Sequence, residues 1–113
     1  LSPVVWAFLQ RSLWGVVNEE GGTGAAARLP GAEVAGKTGT AQTIARSDGP
    51  RAPAGGAQDH AWFAAFAPAH DPEVVVVVLV ERGGKGGQAA APLARQILQG
   101  IFLEKVAALG VSG

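Results

Sequence analysis

The sequence has 113 residues, of which 48% are hydrophobic and 16% charged, a composition that can bury the core of one domain and does not indicate disorder. Nine basic and nine acidic residues give a formal net charge of zero, and no basic block or basic-aromatic stripe indicates nucleic-acid binding. The longest apolar run, residues 74–80, is too short to cross a bilayer. Without cysteine and with two histidines, the sequence predicts no metal site.

The first segment has the pattern of an amphipathic helix. Ser2 can cap a helix N-terminus through its hydroxyl, and Pro3 suits the first helical position. Apolar side chains then recur at helical spacing, and Gly21 and Gly22 can take the positive φ that commonly ends a helix. The pattern predicts a helix over residues 3–18.

Three later segments are rich in apolar and β-branched residues. They predict strands at about residues 34–44, 60–67 and 73–80. A polar stretch over residues 45–59 joins the first two strands, and a loop of this length is expected to be functional or mobile. The valines at 74–78 are unbroken, which predicts a strand that is buried on both faces.

The last segment predicts a second long helix. Leu93, Ile97 and Ile101 form an apolar stripe over about residues 88–103, and Pro92 is tolerated there only near the first turn. The order helix, three strands, helix predicts an α+β fold, in which helices pack on the faces of an antiparallel sheet. No linker indicates a second domain.

The most informative stretch is Lys37-Thr38-Gly39-Thr40. On an edge strand, alternation sends the Thr38 and Thr40 hydroxyls to one face, where both can bond a substrate carboxylate. Lys37 adds a positive charge, and Gly39 lets a substrate backbone approach closely. A free backbone N–H on the same edge can stabilise an oxyanion during acyl transfer. The alternative is an ordinary surface strand with a glycine bulge, because short motifs also occur by chance.

Other candidate residues favour structural interpretations. His60 has only Asp59 beside it as a partner for a catalytic base, and a base assignment requires geometry first. Glu19 and Glu20 follow a predicted helix and are expected to face solvent. The glycine-rich residues 83–87 lack the Gly-Lys-Ser/Thr ending of a phosphate loop, so they predict a turn.

Four segments, in order, resemble penicillin-binding transpeptidases. Residues 35–42, Ala-Gly-Lys-Thr-Gly-Thr-Ala-Gln, resemble the third signature motif of that family. Residues 16–24 resemble the segment that leads into the motif strand, and residues 89–95 the start of the C-terminal helix. Residues 59–68 resemble the next strand, particularly in class B enzymes of the cell-elongation type. The resemblance covers about residues 10–103 and implies the C-terminal part of the β-lactamase/transpeptidase-like fold.

The resemblance also implies roles for the motif. Lys37 is expected to contact the hydroxyl of the family's Ser-x-Asn motif and to assist proton transfer. Thr38 and Thr40 are expected to hold the terminal carboxylate of the donor peptide or of a β-lactam. The Thr40 N–H would form half of the oxyanion hole, and its carbonyl would pair with the substrate amide. Lys37 and Thr40 are thus the implied catalytic residues, and Thr38, Gly39 and Thr40 the implied substrate-binding residues. Gln42 is given no role.

Two of the family's motifs do not occur in the sequence. The nucleophile lies in Ser-x-x-Lys, and neither that pattern nor Ser-x-Asn is present. We therefore expect this chain, which begins at Leu1, to be a C-terminal portion whose nucleophile comes from an N-terminal remainder of the same domain. Alone it is expected not to acylate, and to fold poorly because sheet strands are missing.

The resemblance implies a serine D,D-transpeptidase without a cofactor, which cross-links D-Ala-D-Ala stem peptides of peptidoglycan and is acylated by β-lactams. The expected location is the extracytoplasmic face of a bacterial membrane, with an N-terminal anchor and a glycosyltransferase partner. Two alternatives remain open: a β-lactam-sensing or inactive binding module, and a serine β-lactamase. The Thr-Ala-Gln that follows Lys-Thr-Gly and the His-Ala-Trp-Phe strand argue against the β-lactamase.

Overall fold

The computed structural model describes residues 1–41 and 59–108, with side chains described as far as residue 104. In chain order the elements are α1 (Pro3–Asn18), a 3-10 turn (Ala25–Ala27), β1 (Ala35–Ala41), β2 (His60–Ala67), β3 (Val74–Val80), α2 (Gly86–Ala89) and α3 (Ala91–Ala108). Residues 42–44 of the first predicted strand and 45–58 of the predicted loop lie outside the described residues. Within the described ranges, no helix combines the length and apolar character needed to cross a membrane.

Helix α1 spans the range that its capping pattern predicts. The Ser2 side chain accepts a hydrogen bond from the Val5 N–H at 3.3 Å, and proline occupies the first turn. At the other end, the Asn18 side-chain amide donates to the Trp14 carbonyl at 2.9 Å and to the Val34 carbonyl at 2.8 Å. The last turn of α1 is therefore tied directly to the residue that precedes β1.

The three strands form one antiparallel sheet in the order β1-β2-β3. In the centre of the sheet, Phe63 of β2 is paired with Thr38 of β1 on one side and with Val78 of β3 on the other. Helices α1, α2 and α3 pack against the strands. The predicted α+β class, with helices on an antiparallel sheet, is confirmed.

The core lies between one face of the sheet and the helices. Its largest fully buried side chains are Phe63, Leu98, Val17 and Val34, contributed respectively by β2, α3, α1 and the residue before β1. Small residues on α3 and β2 let the helix approach the sheet closely, and alanine is the commonest member of this cluster. The position of β1 is thus fixed by the helices and core residues that pack on the covered face of the sheet.

The prediction that the valine strand is buried on both faces is wrong for the described part of the chain. Val76 and Val78 are buried, but Val75 is 72% exposed and Val77 is 57% exposed. β3 is an edge strand of the described sheet, and its burial alternates along the strand. Valine favours extended backbone on either kind of face, so an unbroken run does not reveal how many faces are covered.

The prediction of one helix starting near residue 88 is also wrong. A short helix, Gly86–Ala89, comes first, and α3 begins at Ala91 and continues to Ala108. Pro92 explains the break, because proline has no N–H to donate to the preceding turn and its ring clashes with the carbonyl four residues earlier in a continuous helix. Gly100 weakens α3 only modestly, and the helix extends past residue 103 to Ala108.

Candidate active site

The motif strand β1 occupies the edge of the sheet, since β2 is the only described strand that pairs with it. One side of its backbone is therefore left open. The Thr38 carbonyl accepts a hydrogen bond from the Lys37 ammonium at 3.0 Å. In an antiparallel strand the N–H and C=O of one residue point to the same side, and this direction repeats every second residue. The N–H and C=O of Thr40 consequently point to the same side of β1 as the Thr38 carbonyl.

The two threonine side chains of the motif lie on the same face of β1, as strand alternation predicts. Thr38 is paired with Phe63 and Thr40 with Ala61, both of which are fully buried on the helix-covered face. Thr38 itself is partly buried and Thr40 is exposed. The two hydroxyls therefore lie at the rim of the core, where a ligand can reach both.

Lys37 connects the two faces of the strand. Its register partner is Ala64, so its backbone position belongs to the face opposite the threonine hydroxyls. Its ammonium nevertheless comes within 3.5 Å of Thr38 Oγ1, in addition to its bond to the Thr38 carbonyl. A positive charge and a hydroxyl are thus adjacent at the open edge, which is the chemistry needed to bind a carboxylate.

Gly39 has free space where a side chain would begin. The nearest atom to a Cβ built at this position is Trp62 Cβ, at 3.5 Å, which is an ordinary van der Waals contact. Packing within the described chain therefore does not require glycine here. The missing side chain leaves room for a ligand backbone on this face of β1.

Thr23 is a site residue that sequence reasoning missed. Its hydroxyl oxygen lies 3.3 Å from that of Thr38, although fifteen positions separate the two residues in the chain. The position of Thr23 within the run Gly21-Gly22-Thr23-Gly24 is a signal that could have been noticed. Glycines on both sides of a residue allow its backbone to lie close to other segments.

Gly86 is a second residue of the site that sequence reasoning did not single out. A Cβ at Gly86 would overlap the Trp62 carbonyl oxygen and would lie 2.7 Å from the Gly39 carbonyl oxygen. The start of α2 therefore packs directly on the backbone ladder at the motif. Residues 86–87 of the predicted turn belong to α2 and make this contact.

His60 has a structural contact, as expected. Its Nδ1 accepts a hydrogen bond from the Arg82 N–H at 3.0 Å, in a turn where Arg82 has a φ of 54°. Glu19 and Glu20 are exposed beyond α1. Among the described residues, no group of three or more His, Asp or Glu side chains is placed to hold a metal ion.

Comparison with known proteins gives the class to which this fold and edge strand belong. The family model of the penicillin-binding protein transpeptidase domain matches residues 1–99. The transpeptidase domain of FtsI4 from Legionella pneumophila superposes with a TM-score of 0.71 at 31% identity, over 90% of this chain and 37% of that one. The chain belongs to the penicillin-binding protein transpeptidase family.

Within the family, the chain is similar to proteins of the MrdA and PbpA type. Peptidoglycan D,D-transpeptidase MrdA of Haemophilus influenzae is 40% identical over 98 residues, which cover 82% of this chain. Penicillin-binding protein A of Mycobacterium tuberculosis, in its penicillin G acyl-enzyme complex, is 36% identical with a TM-score of 0.66, over 90% of this chain and 21% of that one. The chain spans 15% of the length of the Haemophilus protein.

Proposed function

We propose that this chain forms one wall of the active site of a serine D,D-transpeptidase that cross-links peptidoglycan stem peptides and is acylated by β-lactams. The observation that carries the proposal is the cluster at the open edge of β1, where the Lys37 ammonium lies 3.0 Å from the Thr38 carbonyl and 3.5 Å from the Thr38 hydroxyl. The names of the similar proteins and the acyl-enzyme complex of one of them support it.

In this proposal the motif binds the carboxylate of the donor. The terminal carboxylate of a D-Ala-D-Ala stem peptide, or that of a β-lactam, accepts hydrogen bonds from the Thr38 and Thr40 hydroxyls. Lys37 supplies the positive charge, which makes the binding charge-assisted and stronger than a neutral hydrogen bond. The carboxylate thereby fixes the distance between the ligand's reacting carbonyl and β1.

The open backbone of β1 would act on the reacting carbonyl. When a serine attacks, negative charge develops on the carbonyl oxygen, and a preorganised N–H at that point lowers the barrier. The Thr40 N–H, on the same side of β1 as the Thr38 carbonyl that Lys37 reaches, is the group proposed for this role. The Thr40 carbonyl, on the same side, would accept the ligand's amide N–H, so that the ligand lies along β1 like an added strand.

The nucleophilic serine is proposed to come from a different segment of the complete protein, because the sequence has no Ser-x-x-Lys or Ser-x-Asn. Lys37 would contact the hydroxyl of the Ser-x-Asn motif and assist proton transfer during acylation. We further propose that the complete protein acts at the extracytoplasmic face of the bacterial membrane, alongside a membrane glycosyltransferase that makes the glycan strands.

The test is covalent labelling of the complete protein with a fluorescent penicillin. Lys37→Ala is expected to slow labelling about 10- to 100-fold, the effect of losing a hydrogen bond to a charged group. Arg11→Ala, which removes an exposed cation of α1 outside the motif, is the matched control and should label at the parent rate. A folded complete protein that is not labelled would exclude the proposal.

Two further measurements separate the alternatives. Labelling without any cross-linked product from stem-peptide substrates would favour a β-lactam-sensing or inactive module. Rapid turnover of nitrocefin would favour a serine β-lactamase. A transpeptidase should instead form a long-lived acyl-enzyme and yield cross-linked dimers of the stem peptide.

A further inference from the structure

The hydroxyl of Thr23 is the nearest side-chain hydroxyl that the structure shows to Thr38, at 3.3 Å between the two Oγ1 atoms. Either oxygen can be the donor, so the geometry alone permits two arrangements of the protons. Which arrangement applies decides whether Thr38 has a proton to offer a ligand.

Thr23 is held in place by the glycines on each side of it. A Cβ at Gly22 would overlap the Val16 carbonyl, so the backbone there lies against the last turn of α1. The Gly24 N–H donates to the same Val16 carbonyl at 2.9 Å, and Gly24 is buried. These contacts anchor Thr23 to α1.

Two further contacts set Thr23 against the motif strand. A Cβ at Gly24 would lie 3.1 Å from Cε1 of Phe63, the residue that pairs with Thr38. On the other side, a Cβ at Gly87 would overlap the Thr23 carbonyl oxygen and would lie 3.6 Å from Thr38 Cγ2. The backbone around Thr23 is therefore packed against α1, β2 and α2, while the Thr23 side chain is exposed and has its hydroxyl beside that of Thr38.

The donors and acceptors of this cluster can be counted. A hydroxyl has one proton and two lone pairs, an ammonium only donates, and a carboxylate only accepts. Lys37 Nζ lies 3.5 Å from Thr38 Oγ1 and can only donate to it. If Thr38 donated to Thr23, it would have no proton for a carboxylate. If Thr23 donates, both lone pairs of Thr38 are used and its proton is free for the ligand.

We propose that Thr23 is a positioning residue that donates its hydroxyl proton to Thr38 Oγ1 and so directs the Thr38 proton to the ligand carboxylate. The proposal rests on the carboxylate-binding role proposed for Thr38. Thr23 does not touch the carboxylate in this arrangement, and its effect reaches the ligand through Thr38. Its contribution should therefore appear only with ligands that carry the carboxylate.

The experiment compares two probes on the complete protein. Thr23→Val keeps the shape of the side chain and removes the hydroxyl, while Thr23→Ser keeps the hydroxyl. For Thr23→Val we expect the second-order rate of acylation by penicillin G to fall about tenfold, the size of one hydrogen bond. Acylation by penicillin G methyl ester, in which the carboxylate is masked, should change less than about twofold. Thr23→Ser should acylate with penicillin G at nearly the parent rate.

A double-mutant cycle completes the test. In a Thr38→Val background, Thr23→Val should have almost no further effect on penicillin G, because residues that act through one contact are not additive. Equal slowing with acid and ester, or a full effect in the Thr38→Val background, would overturn the proposal and assign Thr23 a general structural role. An unchanged rate with penicillin G would also overturn it.

Two controls distinguish a failure of the positioning role from a folding defect and from a failure of the proposed function. If Thr23→Val lowers the thermal midpoint, the smaller Thr23→Ala takes its place, with the same expected difference between the acid and ester rates. If the parent protein itself is not acylated by penicillin G, the proposed function fails. Acylation of the parent with no selective loss in the Thr23 variants refutes only the positioning role.

Discussion

At the scale of single residues, Gly39 is the position where the fold and the proposed chemistry make different demands. A Cβ at Gly39 would meet only Trp62 Cβ, at 3.5 Å, so the described structure accepts alanine there. A ligand that lies along β1 would meet the same methyl group. Gly39→Ala should leave the thermal midpoint of the complete protein unchanged and should slow penicillin acylation by about 100-fold, as expected when a reacting group is displaced by about 1 Å.

The control for that prediction is a second glycine without a site contact. Gly100 is exposed on α3, and nothing lies within 4 Å of a Cβ built there. Gly100→Ala should raise stability by about 0.5–1 kcal/mol through helix propensity and should acylate at the parent rate. Acylation of Gly39→Ala at the parent rate would show that no ligand backbone approaches this face of β1.

At the scale of secondary-structure elements, α2 packs on the backbone of the motif strand, so we expect a change at this contact to affect both stability and the proposed acylation. A Cβ at Gly86 would overlap the Trp62 carbonyl and press on the Gly39 carbonyl at 2.7 Å, and both are backbone atoms that cannot rotate away. Gly86→Ala should therefore cost about 1–3 kcal/mol of stability, the usual range for overpacking. It should also slow acylation, because β1 must shift.

This prediction is measured by thermal unfolding and by penicillin labelling of one complete-protein sample. The difference from Gly39→Ala is diagnostic, since that change should slow acylation without any loss of stability. If Gly86→Ala unfolds at the parent midpoint, then α2 does not press on the ladder in solution.

The elements also show what the sequence predicts and what it cannot. The start of α1 follows from local signals, a capping hydroxyl and a proline at Ser2-Pro3, and the end of β2 follows from Pro68. The exposure of Val75 depends on which layers cover the sheet, which is not a local property. The contact of Thr23 with Thr38 depends on the sheet register and on the approach of α2, so no local pattern encodes it.

At the scale of the whole molecule, the sheet has one face covered by described helices and one that carries exposed apolar side chains. Trp62 and the outward residues of β3, namely Val75, Val77 and Leu79, are exposed. An apolar surface of this kind on an edge strand favours association. Residues 1–113 expressed alone should therefore self-associate, as measured by sedimentation velocity, and a cooperative, monomeric melting transition would contradict this prediction.

Substitutions on the same surface should have different effects in the chain alone and in the complete protein. Val75→Thr with Val77→Thr keeps two β-branched residues and makes the face more polar. The double change should reduce association of the chain alone. In the complete protein it should lower stability by about 1–3 kcal/mol per residue if the proposed remainder of the domain covers this face, because a hydroxyl would be buried without a partner. Unchanged stability would show that the face stays in water.

Phe63 has a consequence that extends beyond core packing. Its ring is fully buried and lies against Gly24 and Gly36. In the sheet, Phe63 is the residue of β2 that pairs with Thr38. We therefore expect a change in its volume to shift both the segment that carries Thr23 and the motif strand. If the proposed function holds, substitutions at Phe63 should change the rate of β-lactam acylation without touching the ligand, and each should also lower the stability of the fold.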